Sequence, residues 1–248
     1  MNRILATLIF FTRLPFWRLK EVDAEHFKHV VPYWPLAGWL TGGIMVGMLW
    51  LMAQVLPLSA AWLIAIGSRL LATGCLHEDG LADFCDGMGG GTTRERVLTI
   101  MKDSHIGTYG VIGLIVYFLL LMQMCSIPLE LLCAIVFAGD AWSKLVASHI
   151  INVLPYARKE EDAKNKTVYQ RMSFGEIIAG AFFGCLPFIV FLPYMYWWAL
   201  LASVVVFIKM TILMKVRIQG YTGDCCGALF LTCEIAYLLV CLVIYNLQ

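Results

Sequence analysis

The chain has 248 residues, of which 60% are hydrophobic and 14% charged, with a formal net charge of +1. Soluble domains carry about a quarter charged residues, so a mean hydropathy of +0.78 excludes a water-soluble fold and predicts a polytopic membrane protein. Near-neutral charge, with no basic stripe or RNA-binding motif, also excludes nucleic acid as a partner.

Residues 1–31 are mixed and basic, with Arg3, Arg13, Arg18, Lys20 and Lys28. The stretch from Ile4 to Phe16 is expected to lie in the membrane interface as an amphipathic helix. Its apolar part is short, Arg13 interrupts it and no small-residue cleavage site follows, so it does not read as a signal peptide. Apolar spans are expected near 33–56, 58–76, 109–127, 129–153, 175–195, 197–216 and 226–246. The fold class is therefore all-α, a bundle of about seven transmembrane helices plus interfacial helices, in one domain over 1–248.

Polar segments fall at 77–108, at 155–174 (with Arg158, Lys159, Lys164, Lys166 and Arg171) and at 217–225. Placing residues 1–31 in the cytoplasm puts all three on that side. The opposite turns, Leu56 to Ser59, Ser126 to Leu129 and Pro193 to Trp198, contain neither Lys nor Arg, in accord with the positive-inside rule. Tyr194, Tyr196, Trp197 and Trp198 are expected in the outer aromatic belt. Most cysteines lie in apolar stretches and no C-x-x-C pair occurs, so neither zinc nor a disulfide framework is expected.

The densest chemistry follows the second span: His77, Glu78, Asp79, Gly80, Leu81, Ala82, Asp83, Phe84, Cys85, Asp86, Gly87. On a helix, Asp79, Asp83 and Asp86 stand at i, i+4 and i+7 on one face. Carboxylates that close repel one another, more so beside a membrane. A hard divalent cation, Mg²⁺ above all, would relieve this, with Glu78 as a further ligand. The bland alternative is an acidic, glycine-rich solvated loop. Interleaved Leu81, Ala82, Phe84 and Cys85 argue instead for packed structure. A metal at a membrane surface points to phosphoryl or nucleotidyl transfer.

Thr92 and Glu95 resemble a capping box that opens a short helix to about Lys102. Arg94 and Arg96 suit phosphate or merely lipid headgroups. Lys102, Asp103 and Ser104 begin a stretch to Gly110 with the make-up of a phosphate-cradling turn. Near the last span lies Gly220 to Ala228, with Thr222 and Asp224; Asp224 suits an N-cap as well as a metal or substrate. Charges inside spans need partners. Asp140 and Lys144 at i, i+4 are expected to neutralise each other, Arg69 to line a polar cavity, and Lys209 and Glu234 to pair. No nucleophile elbow or P-loop is present.

Gly74, Leu76, His77, Asp79, Gly80, Leu81, Ala82, Asp83, Asp86 and Gly87 match a pattern that resembles the G-x-L-H-x-D-G-L-A-D-x-x-D-G run of cobalamin synthases, the adenosylcobinamide-GDP ribazoletransferases. Phe11 to Pro15, Arg94 to Gly110, and Thr222-Gly223-Asp224 with Gly227, Ala228 and Glu234 are similar to three further blocks of that family. Tyr156-Ala157-Arg158 adds a local match. Glu78 departs from the family's usual aliphatic residue, and the Cys225-Cys226 pair is idiosyncratic.

The resemblance implies an Mg²⁺-dependent enzyme of the cytoplasmic membrane, its site facing the cytoplasm. Adenosylcobinamide-GDP and α-ribazole, or its 5′-phosphate, would give adenosylcobalamin, or its 5′-phosphate, and GMP. Asp79, Asp83 and Asp86 would serve catalysis and metal binding with His77. Arg13, Arg94, Lys102, Asp103, Ser104, Thr222 and Asp224 would contact substrate. Self-association as a homo-oligomer stays open. Two other readings remain. In a CDP-alcohol phosphotransferase the expected D-G-x-x-A-R opening is missing, because Asp83 follows Leu81-Ala82. An ion-coupled transporter would use Arg69, Asp140, Lys144, Lys209 and Glu234 near the midplane.

Overall fold

The computed structural model describes residues 2–158 and 168–248; Lys159, Lys164 and Lys166 of the second polar segment lie outside the described residues. In chain order the helices are α1 (Asn2–Phe11), α2 (Ala24–Phe27), α3 (Trp34–Met52), α4 (Leu58–Thr73), α5 (Leu76–Gly90), α6 (Arg94–Ile100), α7 (Thr108–Met122), α8 (Leu129–Ser148), α9 (Ile150–Val153), α10 (Phe174–Phe191), α11 (Ala199–Ile218) and α12 (Gly223–Asn246). Among the described residues, extended pairing is limited to a parallel bridge between Tyr156 and Tyr221.

Six stretches are long and apolar enough to cross a membrane: Val31–Met52, Thr108–Ser126, Leu129–Val153, Phe174–Phe191, Tyr194–Ile218 and Gly223–Asn246. A seventh would combine α4 and α5, which meet at 90°. The chain is thus a polytopic helical bundle, as its hydropathy predicts. The second span stops at Thr73, and the acid run forms a separate helix across its end. The corner is built from two successive left-handed residues, Gly74 at φ +66° and Cys75 at φ +56°. Glycine takes that conformation without strain, whereas cysteine does not. The N-terminal segment braces the corner: Arg13 N–H donates to Ala72 O at 2.7 Å. A Cβ on Gly74 would sit 2.5 Å from Arg13 Nε.

The helices α8 and α12 form the buried centre, while α7 and α11 are largely peripheral. Ile112, Ile115, Val116 and Leu119 on α7, and Ile208, Ile212 and Val216 on α11, are exposed, as lipid-facing side chains should be. Tyr194 and Trp198 are exposed in the expected belt, but Tyr196 turns inward and is buried. Pro187 lies inside α10 and has no N–H for the carbonyl four residues back. The orphaned Phe183 O accepts instead from Trp39 Nε1 of α3, at 2.7 Å. Ser173 and Glu176 form a capping box at the start of α10. Glu176 also binds Arg3 at 2.8 Å and His29 at 2.9 Å, fastening α1 to the bundle.

Arg69, Asp140, Lys144 and Glu234 inside the spans are paired, though not all as the sequence suggests. Lys144 binds Asp140, as expected for i, i+4. Arg69 hydrogen-bonds Glu234 and donates to Tyr117 Oη at 2.8 Å, while Tyr117 Oη donates to Glu234 Oε2 at 2.8 Å. Arg69 also lies 3.7 Å from Asp140, and Lys144 donates to Thr41 at 2.8 Å. Glu234 therefore partners Arg69 rather than Lys209, which is exposed on α11. The network joins α3, α4, α7, α8 and α12 through side chains that are nearly all inaccessible.

Candidate active site

The polar connections converge at one end of the bundle. Arg94, at the start of α6, donates to Ile218 O at 3.0 Å and Ala157 O at 2.6 Å. Arg217, near the end of α11, donates to Gly91 O at 2.6 Å. Both satisfy carbonyls that a helix end or loop leaves open. The cap of α6 is Thr93, whose Oγ1 accepts from Arg96 N–H at 3.2 Å, one residue later than the expected Thr92.

At this end α5 crosses the start of α12 almost without side chains between them. A Cβ on Gly80 would stand 2.9 Å from Asp224 O, and one on Gly227 3.0 Å from His77 O. Only glycine permits that approach. It brings Asp79 of α5 and Asp224 of α12 to one cavity with His77, Arg158, Gly223 and Gly227. Its volume, about 120 Å³, admits a flat ring or a phosphate but not a macrocycle.

Thr222, not Asp224, caps α12: its Oγ1 accepts from Cys225 N–H at 3.4 Å. The Asp224 carboxylate lies instead 3.8 Å from Arg158 Nη2, and both side chains are buried. Arg158 also donates to Leu98 O at 3.2 Å, which fixes the guanidinium over the cavity. Tyr156 and Tyr169 complete one wall. Burial raises both hydroxyl pKa values, so both stay protonated donors. His77 is buried, stacked near Trp34 at 5.5 Å between ring centroids, and its Nε2 has no hydrogen-bond partner among the described residues.

The other predicted site residues go elsewhere. Asp86 accepts from Gly107 N–H at 2.7 Å and Gly110 N–H at 2.9 Å, neutralising the start of α7. Seven residues of helix separate it from Asp79, about 10 Å along the axis, too far for one ion at about 2 Å from each ligand. Glu78 is buried and faces the intramembrane network, with Arg69, Glu234 and Lys144 as charged neighbours. Asp83 is buried on α5. Lys102, Asp103 and Ser104 sit on an exposed turn, and Asp103 lines a second, open hollow with Asp86, His105 and Tyr109. Asp103 Oδ1 lies 2.7 Å from His105 Nδ1; this bond lowers the pKa of Asp103 and raises that of His105. Arg13 stands at the α4–α5 corner.

Among the described residues, no three His, Cys, Asp or Glu side chains are grouped closely enough to hold a metal by themselves. A pair of carboxylates still suits Mg²⁺, which keeps waters and takes the rest of its shell from substrate phosphates. Asp79 and Asp224, facing one phosphate-sized cavity, have that chemistry. Arg158, Tyr156 and Tyr169 are not singled out as site residues by sequence, because their placement depends on the 155–158 segment meeting α12. The Tyr156-Ala157-Arg158 match was the available signal.

The fold and the site define a helical membrane protein in which two carboxylates and an arginine line one cavity. The sequence profile of the family described as cobalamin-5-phosphate synthase matches residues 3–242. An adenosylcobinamide-GDP ribazoletransferase from Leptospira interrogans is 32% identical, covering 99% of this chain and 96% of its own length. One from Shewanella sp. (strain W3-18-1) is 36% identical over 98% and 95%, and one from Leptothrix cholodnii 36% identical over 92% and 90%. The chain belongs to the cobalamin-5-phosphate synthase family and is a transferase of cobalamin synthesis. No solved structure matches it.

Proposed function

We propose that this chain joins adenosylcobinamide-GDP to α-ribazole, or to its 5′-phosphate, and releases GMP. The observation that carries the reading is the convergence of Asp79, Asp224 and Arg158 on one cavity, in a chain whose full-length relatives bear that enzyme's name. A ribazole hydroxyl attacks the phosphorus attached to cobinamide. A new P–O bond forms, the bond to the GMP phosphate oxygen breaks, and GMP leaves.

Asp79 and Asp224 would hold Mg²⁺, which supplies charge neutralisation for the diphosphate and its leaving oxygen when bound. Arg158, fixed by Leu98 O and Asp224, offers N–H groups to a phosphate oxygen. Gly223 and Gly227 let the start of α12 approach the same phosphate with its backbone. The cavity carboxylates also supply an acceptor for the hydroxyl proton. The macrocycle stays outside, at the mouth. The gathering of Arg94, Arg158 and Arg217 at this end supports a cytoplasmic-membrane protein with the cavity facing the cytoplasm. Of the charges that motivated a transporter, Arg69 pairs with Glu234 and Lys144 with Asp140, which favours an enzyme.

The test is turnover by purified protein given adenosylcobinamide-GDP, α-ribazole and Mg²⁺. Stoichiometric GMP and a cobalamin product are expected. Neither product would remove the proposal.

A further inference from the structure

We infer that the aromatic wall of the cavity is the seat of the flat base of the ribazole substrate. This rests on the transfer reaction proposed above. The cavity is lined by two kinds of side chain. Asp79, Arg158 and Asp224 are charged, and Phe10, Tyr156 and Tyr169 are aromatic, with Tyr156 and Tyr169 close to Asp224. The wall is backed by a rigid stack: Phe11 lies parallel to Trp34, centroids 4.9 Å apart at 10°. Phe10 meets Tyr169 edge-on at 5.9 Å and 82°, and Tyr156 meets Tyr221 at 5.5 Å and 80°. Phe10, Tyr156 and Tyr169 are only partly buried, so ring surface remains for a further partner.

Such a surface takes a flat aromatic group. A volume of about 120 Å³ excludes the macrocycle and admits one flat base. The candidate bases differ in their edges. Guanine presents several exocyclic donors and acceptors, and the polar side chains of the lining that could pair with them, Asp79, Arg158 and Asp224, are those assigned above to Mg²⁺ and phosphate. The dimethylbenzimidazole of α-ribazole has apolar edges and one acceptor nitrogen, which the Tyr156 or Tyr169 hydroxyl can satisfy. Seating the base there sets its ribose toward Asp79, Arg158 and Asp224, the groups proposed above to serve the attacked phosphate.

The test combines equilibrium binding of α-ribazole alone, followed by tryptophan fluorescence in detergent, with steady-state kinetics for both substrates. Tyr169→Leu is expected to raise Kd and KM for α-ribazole about ten-fold or more, as removal of one stacking ring does. KM for adenosylcobinamide-GDP should change less than about two-fold, and Tyr169→Phe should bind nearly as wild type. Phe10→Leu is the second variant should Tyr169→Leu not fold. Unchanged ribazole affinity in both leucine variants, or a shift confined to the corrinoid substrate, would overturn the seat while leaving the reaction standing. Wild-type protein that binds α-ribazole, loses it in Tyr169→Leu, yet releases no GMP would sink the reaction and keep the seat. Wild-type protein that does not bind α-ribazole overturns the seat.

Discussion

Removal of Arg69 should expose how the bundle tolerates charge in its interior. Arg69 and Lys144 face Asp140 and Glu234 inside the network, with Glu78 close by. Arg69→Met deletes one cation, the Glu234 pair and the bond to Tyr117. Leaving a buried charge uncompensated costs about 3–5 kcal/mol, and the lost Tyr117 bond about 0.6 kcal/mol more. Against a native stability of about 5–15 kcal/mol, that is a large fraction. The double variant Arg69→Met/Glu234→Met removes both charges and fills similar volume, so it should recover most of the loss. Denaturant unfolding in detergent, read by fluorescence-detected size exclusion, gives the cycle Arg69→Met, Glu234→Met and both. A single variant that costs under about 1 kcal/mol, or a double variant worse than either single, would refute the assignment of this pair as mutually compensating.

Three further outcomes follow from the packing. Gly80→Ala places a Cβ 2.9 Å from Asp224 O and 3.1 Å from Asp224 Cα. Backbone cannot yield cheaply, so turnover should drop at least about ten-fold in folded protein, seen as GMP release per mole of monodisperse enzyme. Trp39→Phe should cost about 0.6–1.7 kcal/mol by leaving Phe183 O orphaned. In a Pro187→Ala background, where residue 187 regains its N–H, unfolding should show a smaller cost. His105 should titrate above about 6.5 by NMR and return toward that value in Asp103→Asn. Its pKa is raised by the bond to Asp103, so pairing is complete below the ordinary histidine value and lost as pH rises through the raised one. At the acid end, pairing is lost as pH falls through the lowered pKa of Asp103.

The features legible in the sequence were those written in local periodicity. Hydropathy marked the spans, and the apolar residues interleaved with Asp79, Asp83 and Asp86 marked packed structure, because both need only neighbouring residues. The α4–α5 corner was not legible. The expected span over 58–76 runs through Gly74, and nothing announces a left-handed Cys75. Long-range partners were not legible. Arg69 meets Glu234 across 165 positions, and hydropathy assigns both to spans without saying which faces meet. Lys209 illustrates the same gap: its depth in a span suggested a partner, yet helix rotation turns it outward. Asp86 looked like its neighbours until the start of α7 folded back and took both carboxylate oxygens. Asp224 likewise looked like a cap, because Thr222 two residues earlier served as well.

The central claim is that two carboxylates from different helices, Asp79 and Asp224, serve the transfer at one cavity. The direct measurement is Mg²⁺-dependent GMP release by Asp79→Asn and Asp224→Asn, each checked for monodispersity. Both should fall about a hundred-fold or more, as loss of metal-borne charge stabilisation implies, while Asp86→Asn should lose stability before rate. Near wild-type release from either cavity variant, in folded protein, would contradict the account.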